Sequence, residues 1–189
     1  EGLVYNNIRF EFSDIDQASA FATLFTGSNP CFSGIAGDKT FDFEKEKEVS
    51  ILNDPEYLGN YTKENYSPKN LFSSTIGDEL KIASQGRSDV YSIAPDAQSA
   101  ILSAGHAANG AFWMDNTNGK WATTTYYKGI PWYVDRYNNG PESLASRLET
   151  MVWTPTLPME KYNAFPYVLD DLPFRYTFSE KFANCYPNL

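Results

Sequence analysis

The stretch from Asp14 to Asp38, DIDQASAFATLFTGSNPCFSGIAGD, decides the fold class. It predicts a short acidic turn and then a small-residue helix. Asp14 or Asp16 can cap the helix start, and Ala18 to Phe25 supplies an apolar face of Ala, Phe and Leu. Thr26-Gly27-Ser28-Asn29-Pro30 stops that helix, because Gly ends it and Pro cannot continue it. Upstream, Tyr5 to Phe12 (YNNIRFEF) is β-prone and partly alternating, so it reads as a strand feeding the helix. A helix N-terminus that follows directly on a strand end is a ready anion site, since its first N–H groups have no partner inside the helix.

The same alternation returns further along. From Ser73 to Ser84 the spacing of Ile76, Leu80, Ile82 and Ala83 predicts a helix, capped by Thr75 or Ser74, with Asp78 and Glu79 in the first turns and Gly86 closing it. Asp89 to Ala94 (DVYSIA) reads as a buried-type strand, and Ala97 to Ser103 as a second short helix. Strand and helix in alternation imply an α/β layer fold with a mostly parallel sheet. Gly110 to Met114 and Lys120 to Tyr126 then form a β-hairpin, with Asn116-Thr117-Asn118-Gly119 as its turn.

Composition bounds the function. The chain has 189 residues, 42% of them hydrophobic and 16% aromatic, which fits one globular domain with a sizeable core. A net charge of -9 argues against nucleic acid as a partner, because no basic patch is available to neutralise phosphates. A phosphorylated substrate would need local positive charge working against that field. No run approaches the length of a transmembrane helix, and Glu1-Gly2-Leu3 leads straight into a strand-like segment without a signal-peptide pattern. Cys31 and Cys185 are too few for a disulfide scaffold and read as two unpaired, half-buried thiols, although their separation does not settle whether they pair.

Two motifs carry a family resemblance. Thr26-Gly27, Pro30 and Ser33-Gly34-Ile35 resemble the TG-x-x-P-x-x-HGI pattern of the alkaline phosphatase superfamily, in its type I phosphodiesterase/nucleotide pyrophosphatase branch. The second is Ile101 to Tyr127, ILSAGHAANGAFWMDNTNGKWATTTYY. It is similar to the AGH-x-AN-x-A-[YF]-W-x-D run of that branch's bacterial alkaline phosphatases, with Ala104-Gly105-His106, Ala108-Asn109, Ala111-Phe112-Trp113, Asp115, Gly119 and Thr125-Tyr126-Tyr127 in place. Trp153 to Tyr162 (WTPTLPMEKY) extends the likeness, so it covers nearly the whole chain in order. The implied fold is part of an α/β/α sandwich, with residues 1–189 forming a single partial domain that carries the β-hairpin as an insertion.

The resemblance also locates four site positions, and each is altered. The family's Thr or Ser nucleophile lies ten residues before the Gly of TG, which here is Gln17. A primary amide cannot form the phosphoryl-enzyme intermediate that a hydroxyl can. The phosphate-contacting Asn that follows the HGIAG-like run is Asp38 here. The Lys and Arg that clamp the phosphoryl group lie ten and eight residues before the His of AGH, at Asp96 and Gln98. Phosphoryl transfer rests on cationic and donor groups aimed at the equatorial oxygens. All four replacements oppose it, and an acid in place of Lys turns attraction into repulsion.

Intact, active members of the family use two zinc ions, and their ligands fall outside the matched region. No cofactor or metal site is expected from these residues. His106, the sole histidine, reads as a structural hydrogen-bonder, and Asp170-Asp171 as solvated loop acids. The expectation is therefore a fragment of a longer alkaline phosphatase-like protein that is catalytically inactive. Its partner would be the remainder of its own domain, and the family implies a periplasmic, cell-surface or secreted location. A second reading is a binding or scaffold protein whose aromatic-rich surface meets a protein or glycan partner. A third is an active hydrolase with its nucleophile moved to Ser13 or Ser19, although neither serine occupies the nucleophile position.

Overall fold

The computed structural model of the chain describes residues 2–43, 45–148, 167–169 and 172–174. Helix α1 (Gln17–Thr26) starts at Asp16, whose carboxylate accepts from the Ser19 backbone N–H at 2.8 Å while the Ser19 hydroxyl accepts from the Asp16 N–H at 3.1 Å. That reciprocal capping box closes two open donors of the first turn. Gly27 ends the helix in the left-handed region at φ 67°. Pro30 then opens the single-turn helix α2 (Pro30–Ser33), which carries the exposed, free Cys31.

The charged run after Asp38 forms a hairpin of β1 (Lys39–Asp42) and β2 (Lys47–Ser50), paired from Lys39↔Ser50 to Asp42↔Lys47. Its Lys39–Glu48 ion pair is exposed on both sides and contributes little. Strand β3 (Gly59–Asn60) follows, then α3 (Ile76–Ala83), capped by a second box between Thr75 and Asp78. Strand β4 (Tyr91–Ala94) leads into α4 (Ala97–Ala104), capped by Asp96. The expected hairpin is β5 (Gly110–Asp115) and β6 (Lys120–Thr124), and residues Thr125–Tyr127 turn into a 3-10 helix instead of prolonging β6.

The principal sheet has the order β3-β6-β5-β4. It is mixed: β4 and β5 are parallel, while β3 runs antiparallel to β6. The parallel pair is the βαβ unit β4-α4-β5, and the hairpin adds the antiparallel half. On α1, Ala18 and Ala22 are buried one turn apart, and on α4 so are Ala97, Ala100, Ile101 and Ala104. Small residues on facing helices let the two axes approach, and α1 packs on α4. Ala111 and Trp113 of β5 join α4 in the core with Ile35, Leu52 and Leu71. Burial of each large aliphatic side chain there is worth about 2 kcal/mol. Two buried hydroxyls are satisfied, as Thr123 Oγ1 donates to the Ala111 carbonyl at 2.7 Å and Tyr127 Oη to the Gly105 carbonyl at 2.7 Å, whereas buried Thr23 Oγ1 has no hydrogen-bond partner among the described residues.

Two expectations are corrected. Tyr5 to Phe12 forms no strand; the segment is irregular, and Leu3, Val4, Tyr5 and Ile8 are exposed. β-propensity alone does not make a strand, since the ladder needs a neighbour and none of the other described strands pairs with it. β4 is not a buried strand either, with Tyr91 and Ile93 both exposed at the end of the sheet.

Residues divide into two compact units, 1–115 with 121–132, and 116–120 with 133–189. The second unit contains α6 (Leu144–Leu148) and the antiparallel pair β7 (Tyr167–Leu169) and β8 (Leu172–Phe174), and most of α5 (Trp132–Asn138). Trp153 to Tyr162, Asp170, Asp171 and Cys185 lie outside the described residues.

Candidate functional site

Gln17, near the start of the decisive stretch, and Asp38, its last residue, meet Asp96 and Gln98 at the N-terminal ends of α1 and α4. The Gln17 amide donates through Nε2 to Asp96 Oδ2 at 2.7 Å and to Ser99 Oγ at 2.7 Å. Asp38 Oδ1 accepts from the Ala18 backbone N–H at 3.1 Å, and its own N–H donates to Asp16 Oδ2 at 2.6 Å. Gln98 Nε2 closes the group on the Asp38 carbonyl at 3.4 Å. The four positions inferred from the resemblance thus share one hydrogen-bonded cluster.

Three first-turn donors of these helices are taken by the chain's own carboxylates. On α1, Ala18 N–H goes to Asp38 and Ser19 N–H to Asp16. On α4, Ser99 N–H goes to Asp96 Oδ1 at 2.9 Å, and the Ser99 hydroxyl to Asp96 Oδ2 at 2.9 Å. Carboxylates in these places are favoured by the helix dipole. For Asp16, burial acts to raise the pKa, but hydrogen bonds from Ser19 and Asp38 outweigh it and hold the group below the usual carboxylate range. No Lys or Arg is bonded to the cluster among the described residues.

Sequence reasoning did not single out Ser99, which is 3% exposed and bridges Gln17 to Asp96. Its signal was available, since Asp96 with a Ser three positions later is a capping pattern. Ser13 makes no hydrogen bond to the cluster, and the buried Ser19 is spent on the capping box.

A second carboxylate centre lies at Asp78, 4% exposed. Its Oδ1 accepts from the backbone N–H groups of His106 at 2.9 Å and Ala107 at 2.6 Å, and its Oδ2 from Thr75 N–H at 2.9 Å. The His106 imidazole stands beside it, Nδ1 3.5 Å from Oδ2. Burial acts to raise the Asp78 pKa, yet these donors hold it well below the usual range, and the hydrogen bond to Asp78 raises that of His106. Gly105, at φ 74°, is required there because a Cβ would fall 2.3 Å from Asp78 Oδ2. His106 is therefore a structural partner of the α3 cap.

Among the described residues no group of three or more His, Cys, Asp or Glu converges to hold a metal ion. Among them also, no helix is long and apolar enough to cross a membrane.

No family model matches the chain. It is 35% identical over 166 residues to alkaline phosphatase PafA of Elizabethkingia meningoseptica, across 85% of this chain and 30% of that protein. It is 31% identical over 193 residues to alkaline phosphatase PhoV of Synechococcus elongatus, across 100% and 34%. The chain spans about a third of the length of the curated relatives it matches. The crystal structure of wild type PafA aligns with a TM-score of 0.73 and 29% identity, covering 90% of this chain and 35% of that one. A PafA variant aligns with a TM-score of 0.72 and 29% identity, over 88% and 35%. That variant is substituted at a Thr, at an Asn 21 positions on, and at a Lys and an Arg two positions apart. These relatives support the alkaline phosphatase superfamily, with a phosphate-ester hydrolase-like domain, and the α/β fold expected from the sequence.

Proposed function

We propose that this chain, an alkaline phosphatase-like portion by sequence and structure, no longer hydrolyses phosphate esters and serves as a silent member of the phosphodiesterase/nucleotide pyrophosphatase branch. The observation that carries this reading is the seating of carboxylates on the first turns of the two helices. Asp38 and Asp96 supply the negative charge that a bound phosphate would otherwise bring. A phosphate dianion approaching Gln17 would meet two carboxylates and two amides, with no Lys or Arg among the described residues bonded there to offset its charge. The spacings support the assignment: Gln17 and Asp38 are 21 positions apart and Asp96 and Gln98 two apart, as in the substituted PafA positions.

The activity of a longer protein containing this chain belongs to the same proposal: inactive in phosphoester hydrolysis and acting by binding. Exposed Phe32, Phe43 and Phe72 favour a protein or glycan partner for such a role. The family-implied location remains periplasmic, cell-surface or secreted.

Thermal melting with inorganic phosphate at about 10 mM tests the filled site, because a ligand that binds only the native state raises the melting temperature. The wild-type protein is expected to show no shift. The quadruple variant Gln17→Thr, Asp38→Asn, Asp96→Lys and Gln98→Arg is expected to gain one. Protection of the wild type, abolished by Asp38→Ala, overturns the reading.

A further inference from the structure

We infer that the cleft between the Arg9–Glu11 stretch and the C-terminal end of α1 binds a zwitterion of dipeptide size, its carboxylate on Arg9 and its ammonium on Glu11. The inference goes beyond the silent-site reading and concerns a different part of the molecule. Gln17 opens α1 and Gly27 follows its last residue, about 15 Å further along the axis at about 1.5 Å per residue. The cleft has a volume of about 410 Å³, and Arg9, Phe10, Glu11, Thr23, Asn29 and Phe32 are among the residues that line it. Ligand cavities run from roughly 300 to 1,000 Å³, so this one lies at the small end and suits a compact molecule.

The charges in the cleft point to the ligand class. Arg9 and Glu11 lie two positions apart, yet neither is ion-paired among the described residues. Glu11 Oε2 instead accepts from Asn29 Nδ2 at 3.2 Å, which holds the carboxylate at the cleft wall. Asn29 stands at the N-cap of α2 but makes no capping bond with its side chain, so its amide serves Glu11 rather than the helix. The guanidinium of Arg9 offers a fork that matches a carboxylate. A held carboxylate, beside the partial negative charge of a helix C-terminus, favours an ammonium. A ligand with one charge of each sign answers both groups, whereas a singly charged one leaves a group unmatched. Thr23 adds a polar requirement, because its hydroxyl is buried without a hydrogen-bond partner among the described residues. Such groups are rare, and the amide link of a dipeptide brings an acceptor that matches it. Phe10 and the exposed Phe32 supply the apolar wall for the ligand's side chains.

Thermal melting of protein isolated from its natural source tests this with L-alanyl-L-valine, its N-acetyl form and its C-terminal amide, each at about 10 mM. The free dipeptide is expected to raise the melting temperature by about 2 °C or more, because a ligand that binds only the folded state stabilises it. The N-acetyl form lacks the ammonium and the amide lacks the carboxylate, so each is expected to give less than about half that shift. Arg9→Gln and Glu11→Gln, placed in the natural gene, are each expected to abolish the shift. Both side chains are exposed, so the melting temperature without ligand is expected to stay unchanged. No shift with the free dipeptide overturns the inference. So does an equal shift from either blocked form, or a shift that survives both substitutions. Each of these results leaves the silent-site reading intact, whereas phosphate turnover would overturn that reading without touching the cleft.

Discussion

Gln17 Nε2 lies 2.7 Å from Asp96 Oδ2, joining the first turn of α1 to the N-cap of α4 across 79 positions of sequence. Asp96 has a second task in capping its own helix. Asp96→Ala is therefore expected to lower stability by about 1 kcal/mol, the usual cost of a lost N-cap. Asp96→Asn, which keeps an acceptor, should cost less than half as much. Urea unfolding of the two variants checks the order, and equal losses would mean that the cap does not act as described.

Gly105 and Gly27 make a matched pair of tests. Both have positive φ, but a Cβ at Gly27 meets nothing within 4 Å, while one at Gly105 falls 2.3 Å from Asp78 Oδ2 and from Thr75 Oγ1. Gly27→Ala should cost about 1 kcal/mol from backbone conformation alone. Gly105→Ala should cost more than about 3 kcal/mol, because it also breaks a buried cap. Thermal or denaturant unfolding separates them.

The Asp78–His106 pair predicts a pH signature. The pKa of His106 is raised by its bond to Asp78, so the stability it gives is full below the ordinary 6.5 and is lost as pH rises through the raised value. The pKa of Asp78 is depressed, so its contribution is present above the ordinary 3.8 and is lost as pH falls through the lowered value. The gap in melting temperature between wild type and His106→Asn should thus be widest between about pH 4 and 6.5 and close at alkaline pH. A gap that stays constant up to pH 9 would remove the ion pair from the account. Asp78→Ala, which strands several buried donors, should lower stability by about 3 kcal/mol at neutral pH.

Local chemistry was legible in the sequence where it is decided locally. Asp16 before a small-residue helix, Gly27 after it, Thr75 with Asp78, and the hairpin around Asn116-Thr117-Asn118-Gly119 all act over a few residues. What failed depends on distant partners. Tyr5 to Phe12 has strand residues but no described strand beside it, and Tyr91 and Ile93 belong to a strand paired on one side only among the described residues. The meeting of Gln17, Asp38, Asp96 and Gln98 could be inferred from the family's spacing, because a contact across 79 positions leaves no trace in local periodicity. Ser99 was missed because it lies within the apolar stretch of α4, although it is the polar bridge of the cluster.

The measurement that bears most directly on the account is steady-state hydrolysis of p-nitrophenyl phosphate and bis-p-nitrophenyl phosphate by protein isolated from its natural source, with and without zinc. The account predicts no turnover above that of the Gln17→Ala, Asp96→Ala double variant in either condition. Zinc-dependent turnover that is lost when Gln17 or Asp96 is replaced would contradict it.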